Sequence, residues 1–228
     1  MNLKAGLTFP VVMRSFLRAD PDIIMVGEMR DKETTSLGIE ASLTGHLVFA
    51  TLHTNSATES IIRLLDMGMD PFTFSDALLG VLAQRLAKRL CNCKKAHPAG
   101  QEEIQASLAE YCEKLQNIDR FKTDPAAAIQ AIQADWIKQY GDDQGQITLY
   151  APAGCDTCNG SGYRGRIGLH ELLIATDALK KNIQDHARVT EMLVTALGDG
   201  MRTLKQDGIE KVLQGITDMY QVRAVCIK

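Results

Sequence analysis

Two short apolar runs separated by a helical segment constrain the fold of this chain more than any other feature. The runs are Ile23–Val26 and Leu47–Thr51. A continuous apolar run of this length is typical of a strand that is buried on both faces of a parallel sheet. Between the runs, Asp31 can cap a helix that continues to about Leu43, and Gly45 can end it. The pattern predicts a strand-helix-strand unit and therefore an α/β fold.

The region after the second run continues with helical patterns. Ser56 and Glu59 have the spacing of a capping box, in which each side chain satisfies an exposed amide of the first turn. A further helix is predicted to begin after Asp70, because leucines at three- and four-residue steps extend to Leu90. We therefore assign residues 1–90 to one α/β domain.

The remainder of the chain divides into two smaller segments. From about His97 to Gln146 the composition shifts to Gln, Ala, Glu and Lys, which indicates an inserted pair of helices. The last sixty residues have helical patterns separated by glycines that mark helix ends. We predict a cysteine-bearing, metal-binding subdomain with a helical insertion over residues 91–160, and a C-terminal α-helical subdomain over residues 161–228.

The composition excludes several classes of protein. The chain has 228 residues and is 45% hydrophobic, which is sufficient for one large domain or two small ones. A formal net charge of -3 and an aromatic content of 5% argue against a nucleic-acid partner. No apolar run approaches the roughly 18 residues of a transmembrane helix, and the first residues lack the form of a secretory signal. We expect a cytoplasmic protein with no transmembrane segment and no nucleic-acid partner.

Two acids follow the first predicted strand. Glu28 and Asp31 lie just past its carboxyl end, which is the edge where open α/β sheets bind ligands. A carboxylate there can orient and deprotonate a water for attack on a phosphoryl group, and nearby arginines can neutralise the developing charge. Glu28 is the candidate base. From the acids alone, a strand followed by an ordinary polar turn explains the pattern equally well.

Four of the six cysteines form two close pairs. Cys155 and Cys158 have the two-residue spacing that lets two thiolates on a tight turn reach one zinc ion. Cys91 and Cys93 could complete four ligands, which would be a closed and therefore structural site. Their one-residue spacing leaves two alternatives, a site in which His97 replaces Cys91 or Cys93, and no metal at all. Cys112 and Cys226 are typical of cysteines packed in helices.

Several longer strings occur in an order that is specific to one family. They are LRADPDIIMVGEMRD at 17–31, TGHLVFATLHTN at 44–55, RLLDMG at 63–68, LAQRL at 82–86, GYRGRIGLHELL at 162–173 and GMRTLKQDG at 200–208. The first resembles the Walker B segment, and the second the histidine box, of the type II secretion and type IV pilus assembly ATPases. The resemblance covers most of the chain except the insertion.

The resemblance implies a RecA-like core that hydrolyses ATP with Mg²⁺ and acts as a homo-hexameric ring on secretion or pilus platform proteins of the inner membrane. Glu28 matches the family's catalytic glutamate, and His53 matches a histidine thought to sense the γ-phosphate. Three arginines match residues near the nucleotide or the subunit boundary, and three further residues are assigned to nucleotide binding. The arginines are Arg14, Arg18 and Arg30, and the nucleotide-binding residues are Asp22, Asp31 and His46.

One expected motif is missing from the sequence. Nucleotide triphosphate motors hold the phosphates in a loop of the form Gly-x-x-x-x-Gly-Lys-Ser/Thr, and the 228 residues contain no such string. We therefore expect the chain to be the C-terminal part of a longer ATPase, with an incomplete RecA-like core and no hydrolysis on its own. The alternative function is a nucleotide-independent zinc-binding module that docks to the platform proteins.

Overall fold

A computed structural model describes residues 8–226. The elements of the first half are α1 (Phe9–Leu17), β1 (Ile23–Val26), α2 (Lys32–Leu43), β2 (Leu47–Ala50), α3 (Ala57–Asp66), α4 (Pro71–Ala77), β3 (Gly80–Leu90), β4 (Lys95–Pro98) and α5 (Gln101–Cys112). Those of the second half are α6 (Asp119–Thr123), α7 (Pro125–Tyr140), β5 (Thr148–Ala151), β6 (Tyr163–Ile174), α8 (Asp177–Gln184), α9 (Val189–Gly198), α10 (Leu204–Leu213) and α11 (Met219–Val225). A 3-10 turn covers Asp156–Cys158.

The described residues form two compact units. The first comprises residues 8–81 and 173–193, and the second comprises residues 82–172 and 194–226. Each unit is therefore made from two separate stretches of chain. The division at residues 90 and 160 that the sequence suggested stays a prediction.

The first unit contains the predicted strand-helix-strand unit. Strands β1 and β2 are parallel, with Ile23 opposite Leu47, and α2 is the crossover between them. The Asp31 carboxylate caps α2 by accepting a hydrogen bond from Thr34 N, and Gly45 adopts a φ of 105° after the helix ends. The predicted α/β fold and the bounds of this helix are confirmed.

Neither strand is buried on both faces, and that prediction is wrong: in β2, Leu47 is 38% exposed and Phe49 is 53% exposed. Ile24 and Val26 pack against residues of α1 and α2, whereas Ile23 is 60% exposed and Met25 is 77% exposed. Burial therefore alternates along β1, because α1 and α2 cover one face of the β1–β2 pair.

The predicted helix from Asp70 to Leu90 is also wrong beyond its first two turns. Helix α4 ends at Ala77, and Gly80–Leu90 is the strand β3, which pairs with β6. Ala87 is fully buried beside Leu169 of β6, while the leucines at 82 and 86 are 60% and 50% exposed. Packing against β6 therefore overrides the leucine spacing.

The insertion has more elements than the predicted pair of helices. Strands β4 and β5 form an antiparallel ladder at its base, and α5, α6 and α7 follow one another between them. Tyr111 of α5 packs edge-on against Trp136 of α7, with ring centroids 5.2 Å apart. The last segment is helical only from Asp177 onward, because residues 163–174 form β6. No helix within residues 8–226 is long and apolar enough to span a bilayer.

Candidate functional site

The carboxyl edge of the parallel strands carries the predicted catalytic acid. Glu28 follows Val26 and Gly27 at the end of β1, and the loop after β2 lies beside it, since Met29 N donates to Thr51 O at 3.1 Å. The Glu28 side chain is 21% exposed, so it is accessible without being fully solvated. The position is the one at which α/β sheets bind ligands.

Two basic side chains contact the Glu28 carboxylate, one at each oxygen. Arg30 contacts Oε2 at 2.5 Å, and His53 Nε2 lies 3.2 Å from Oε1. The hydrogen bond from Arg30 lowers the pKa of Glu28 against the opposing effect of burial, and His53 adds a smaller contribution in the same direction. The guanidinium responds in the opposite sense, because contact with Glu28 raises the pKa of Arg30. The acid is therefore held ionised, as a general base must be.

Other predicted residues at this edge have local structural partners. Asp31 uses its two carboxylate oxygens to accept from Thr34 N at 2.8 Å and from Thr34 Oγ1 at 2.9 Å. Arg14 of α1 pairs with Glu33, in the first turn of α2, at 2.8 Å. Arg18 is an exposed residue at the end of α1. The structure thus brings Glu28, Arg30 and His53 into one cluster and leaves Arg14 and Arg18 outside it.

Two residues assigned to nucleotide binding lie at the opposite edge of the sheet. Asp22 immediately precedes β1 and His46 immediately precedes β2. Because the strands are parallel, both residues are at the amino edge, whereas Glu28 is at the carboxyl edge. His46 Nδ1 lies 3.0 Å from Ala41 O, so the ring contacts the last turn of α2. The structure does not bring Asp22 or His46 to Glu28, and their nucleotide-binding role stays a prediction.

Sequence reasoning missed Thr51 as a member of this edge. Its hydroxyl donates to Gly27 O, which ties the end of β2 to the residue just before Glu28. The available signal was position, because Thr51 follows the second parallel strand and Gly27 follows the first. A polar residue at the carboxyl end of each strand is expected at a ligand edge.

The second candidate site is a cluster of four cysteines. The sulfurs of Cys91, Cys93, Cys155 and Cys158 all lie within 4.8 Å of one another. Three of the separations are 3.9 Å for Cys91–Cys155, 3.9 Å for Cys93–Cys158 and 3.7 Å for Cys155–Cys158. A tetrahedral site with zinc-sulfur bonds of about 2.3 Å requires sulfurs about 3.8 Å apart. The donor set and its spacing therefore fit a zinc ion, and all four cysteines are free thiols.

Backbone amides are directed at the sulfurs of the cluster. Cys155 N donates to Cys158 Sγ at 3.2 Å, and Gly162 N donates to the same sulfur at 3.3 Å. Although burial opposes ionisation, these amides lower the pKa of Cys158 to about 6. Burial raises the pKa of Cys93 to about 11. Gly162 was another residue missed at the site, and its φ of 77° is one that glycine adopts readily.

The remaining candidate ligands lie elsewhere. His97 Nε2 is 3.2 Å from Glu103 Oε1, and the four-sulfur group does not include it. Cys112 is buried in α5, and burial raises the pKa of Cys112. Cys226, at the end of α11, packs near Ala87 and Leu169, and burial raises the pKa of Cys226 to about 11. Of the alternatives left open by the sequence, the four-cysteine set is the one assembled in the structure.

Comparison with known sequences matches the chain to one protein family. The family model described as "Type II/IV secretion system protein" matches residues 1–224. The type IV pilus assembly ATPase PilB of Thermus thermophilus is 42% identical over 231 residues, covering 100% of this chain and 22% of that protein. The type II secretion system protein E of Dickeya dadantii is 41% identical over 223 residues, covering 97% of this chain and 38% of that protein. The chain thus spans well under half the length of these relatives.

Comparison with solved structures identifies the same fold. The pilus retraction motor PilT, solved with bound ADP, matches with a TM-score of 0.58 and 22% identity, covering 96% of this chain and 43% of that one. The ATPase DotB of Legionella pneumophila matches with a TM-score of 0.57 and 19% identity, covering 96% of this chain and 42% of that one. At these sequence identities the matches establish a shared fold and nothing about function.

Proposed function

The chain belongs to the type II/IV secretion system protein family, and from this premise we propose that it is the Walker B and histidine-box part of a motor ATPase. The complete motor couples ATP hydrolysis to type II secretion or type IV pilus assembly. It works as a hexamer on the cytoplasmic side of the inner membrane, where it acts on platform proteins. The names of the relatives support this role, since they are ATPases of secretion and of pilus assembly.

The observation that carries the proposal is the position of Glu28 between Arg30 and His53 at the carboxyl edge of β1. An ionised carboxylate there can accept a proton from the attacking water. His53 is 83% exposed and Arg30 is 76% exposed, so both can turn from Glu28 toward the phosphate oxygens. In this role Arg30 neutralises charge that develops on the transferred phosphoryl group. ATP enters with Mg²⁺ as the substrate complex.

The chain on its own should hydrolyse ATP very slowly. The phosphate-binding string Gly-x-x-x-x-Gly-Lys-Ser/Thr is absent from the sequence, so the backbone cradle for the β- and γ-phosphates has to be supplied by other residues. The incomplete RecA-like core is part of this proposal.

A chimera tests the catalytic assignment directly. The chain replaces its aligned segment in the Dickeya dadantii protein, which restores a complete motor, and steady-state ATP hydrolysis is measured. Glu28→Gln should lower kcat by a factor of about 100 or more while ATP binding persists, because general-base catalysis contributes about that much. Glu40→Gln is the matched control, since Glu40 is an exposed acid on α2. Equal kcat values for the two variants would refute the role of Glu28.

We also propose that the four-cysteine cluster holds one structural Zn²⁺. The ion would close the loop between the two cysteine pairs and leave no coordination position for water or substrate. The same cluster favours the second candidate function, in which the chain is a zinc-binding interaction module that needs no nucleotide. That function is preferred over the motor only if the chimera is inactive while the zinc-loaded chain still binds platform proteins.

Metal analysis with native mass spectrometry tests the zinc assignment. The purified chain should carry one zinc per molecule, and Cys155→Ser should lose it, because three thiolates give an incomplete shell. Cys112→Ser is the control, since Cys112 is a buried thiol of the same unit outside the cluster. Absence of zinc in carefully reduced protein, or its retention in Cys155→Ser, would contradict the proposed ligand set.

A further inference from the structure

The residues around the cysteine cluster are basic although the chain as a whole is acidic. Residues 77–101 contain five lysines and arginines and no Asp or Glu, and residues 155–170 add Arg164 and Arg166 against one acid, Asp156. The formal net charge of the entire chain is -3. The two stretches that carry the four cysteines thus hold seven cations and one acid, whereas acids outnumber cations in the rest of the sequence.

Two of these cations, Arg89 and Arg164, line an open cleft that also includes three cysteines of the cluster. The cleft has a volume of about 570 Å³ and is lined by Arg89, Leu90, Cys91, Asn92, Cys93, Cys155, Thr157 and Arg164. Strand β3 enters the cluster at Cys91, whose N donates to Gly162 O at 2.9 Å at the start of β6. Arg89 lies two residues before Cys91, and Arg164 lies two residues after Gly162. In an antiparallel ribbon these two positions face each other, and the bond from Ala175 N to Leu79 O shows that the strands run in opposite directions.

The two guanidinium groups have no ion-pair partner in the part of the chain that the structure describes. Neither Arg89 nor Arg164 makes an ion pair with any of residues 8–226, and both side chains are exposed. Neighbouring cations do have internal partners. Lys88 lies over the Tyr163 ring, and Lys94 lies over the Tyr150 ring and donates to Gly215 O. Like charges on facing positions of two strands are destabilising, so an arginine pair without a partner is costly unless an anion meets it.

We propose that this cleft is a docking site for an acidic peptide segment of a partner protein. A guanidinium presents two parallel N–H donors that match one carboxylate. Two guanidinium groups on facing strands therefore match a segment with two acidic side chains. The side chains of Asn92 and Thr157 add amide and hydroxyl groups that can hydrogen bond to the backbone of such a segment. This inference concerns a surface in the second unit and does not depend on the ATPase assignment of Glu28.

Other anionic partners fit the cleft less well. A membrane surface is broad and contacts exposed, protruding groups, whereas Arg89 and Arg164 line a concavity. Single-stranded nucleic acid is held by aromatic stacking in addition to charge, and none of the lining residues is aromatic. A metal-bound cluster of four thiolates would itself carry negative charge, so charge balance of the cluster is the competing role for the two arginines.

Fluorescence anisotropy on the whole 228-residue chain, loaded with zinc, tests the proposal. The probe is a labelled short peptide rich in Asp and Glu, and the comparison peptide has Asn and Gln in their place. Arg89→Ala combined with Arg164→Ala should weaken binding of the acidic peptide about tenfold or more, since two charge-assisted hydrogen-bond pairs are lost. Arg63→Ala combined with Arg188→Ala removes the same charge from exposed positions in the first unit and should leave the affinity within about twofold.

The pair Arg89→Lys and Arg164→Lys keeps the charge and removes the planar fork, so it should give an intermediate loss of affinity. Zinc content and far-ultraviolet circular dichroism of each variant show whether the fold is retained. Three results would overturn the proposal. They are equal binding of the neutral peptide, equal affinity in the Arg89/Arg164 alanine variant, and arginine-dependent capture by acidic phospholipid vesicles without peptide binding.

Discussion

The Glu28 carboxylate shows how single residues set the chemistry of the carboxyl edge. Its two oxygens contact different side chains, Arg30 at 2.5 Å and His53 at 3.2 Å. Contact with Arg30 is the main reason that the pKa of Glu28 is lowered, and the effect of His53 is smaller. An acid whose pKa is lower in the folded state than in the unfolded state stabilises the fold when it is ionised. Its contact with Arg30 therefore contributes to stability at neutral pH, and that contribution is lost as the pH falls through the folded-state pKa.

Removing Arg30 should therefore raise the pKa of Glu28 toward the ordinary value of a glutamate. Arg30→Ala is expected to give the larger rise and His53→Ala the smaller one, in the order of the two contributions. The pKa is measured by following the Glu28 side-chain carboxyl carbon by NMR as the pH is lowered. Arg14→Ala is the control, because Arg14 pairs with Glu33 instead. A pKa of Glu28 that moves as much in Arg14→Ala as in Arg30→Ala would show that overall charge, and not the direct contact, sets it.

At the scale of secondary-structure elements, β1, α2 and β2 could be read from sequence and β3 could not. Asp31 and Gly45 are local signals that have the expected effect in the structure, and the apolar runs form the expected strands without the expected burial on both faces. Leucines at steps of four satisfy the period of a helix and also the period of a strand. The choice between these periods is made by tertiary contacts, since Ala87 packs against Leu169 of a strand some eighty residues later. No local pattern in residues 78–90 carries that information.

The same reasoning separates the two histidines of the second motif. The sequence places His46 before a strand and His53 after it, so the parallel sheet assigns them to opposite edges. His53 accordingly reaches Glu28, whereas His46 contacts Ala41 at the end of α2. The candidate site was predictable wherever strand order alone determined proximity. It was not predictable for His46, because the partner of that ring is the carbonyl oxygen of Ala41 in the last turn of α2.

For the molecule as a whole, the insertion is attached at two places within the second unit. One is the cysteine cluster, in which the paired thiols are 64 and 65 residues apart in sequence. The other is the contact of α5 with the C-terminal helices, where Tyr111 OH donates to Glu210 at 2.8 Å and Arg223 pairs with Glu110 at 2.6 Å. Gln206 Nε2 also donates to Tyr111 O at 3.0 Å. The second attachment consists of protein groups alone and does not need a metal.

Metal removal should therefore loosen the cysteine segments without releasing the helices of the insertion. After chelation, hydrogen-deuterium exchange is expected to rise at Gly162 and across Cys155–Cys158, because thiolate repulsion replaces the shared ion. Exchange in α5 and α10 should stay close to that of the zinc-loaded chain, and α3 in the first unit is the internal control. A comparable rise throughout α5 and α10 would mean that the metal holds the whole insertion. Unchanged exchange at the cysteine segments after verified metal loss would mean that the ion has no structural role.

Arg223→Ala makes the complementary change, because it weakens the α5–α11 contact and should raise exchange in α5 while the zinc content stays at one per chain.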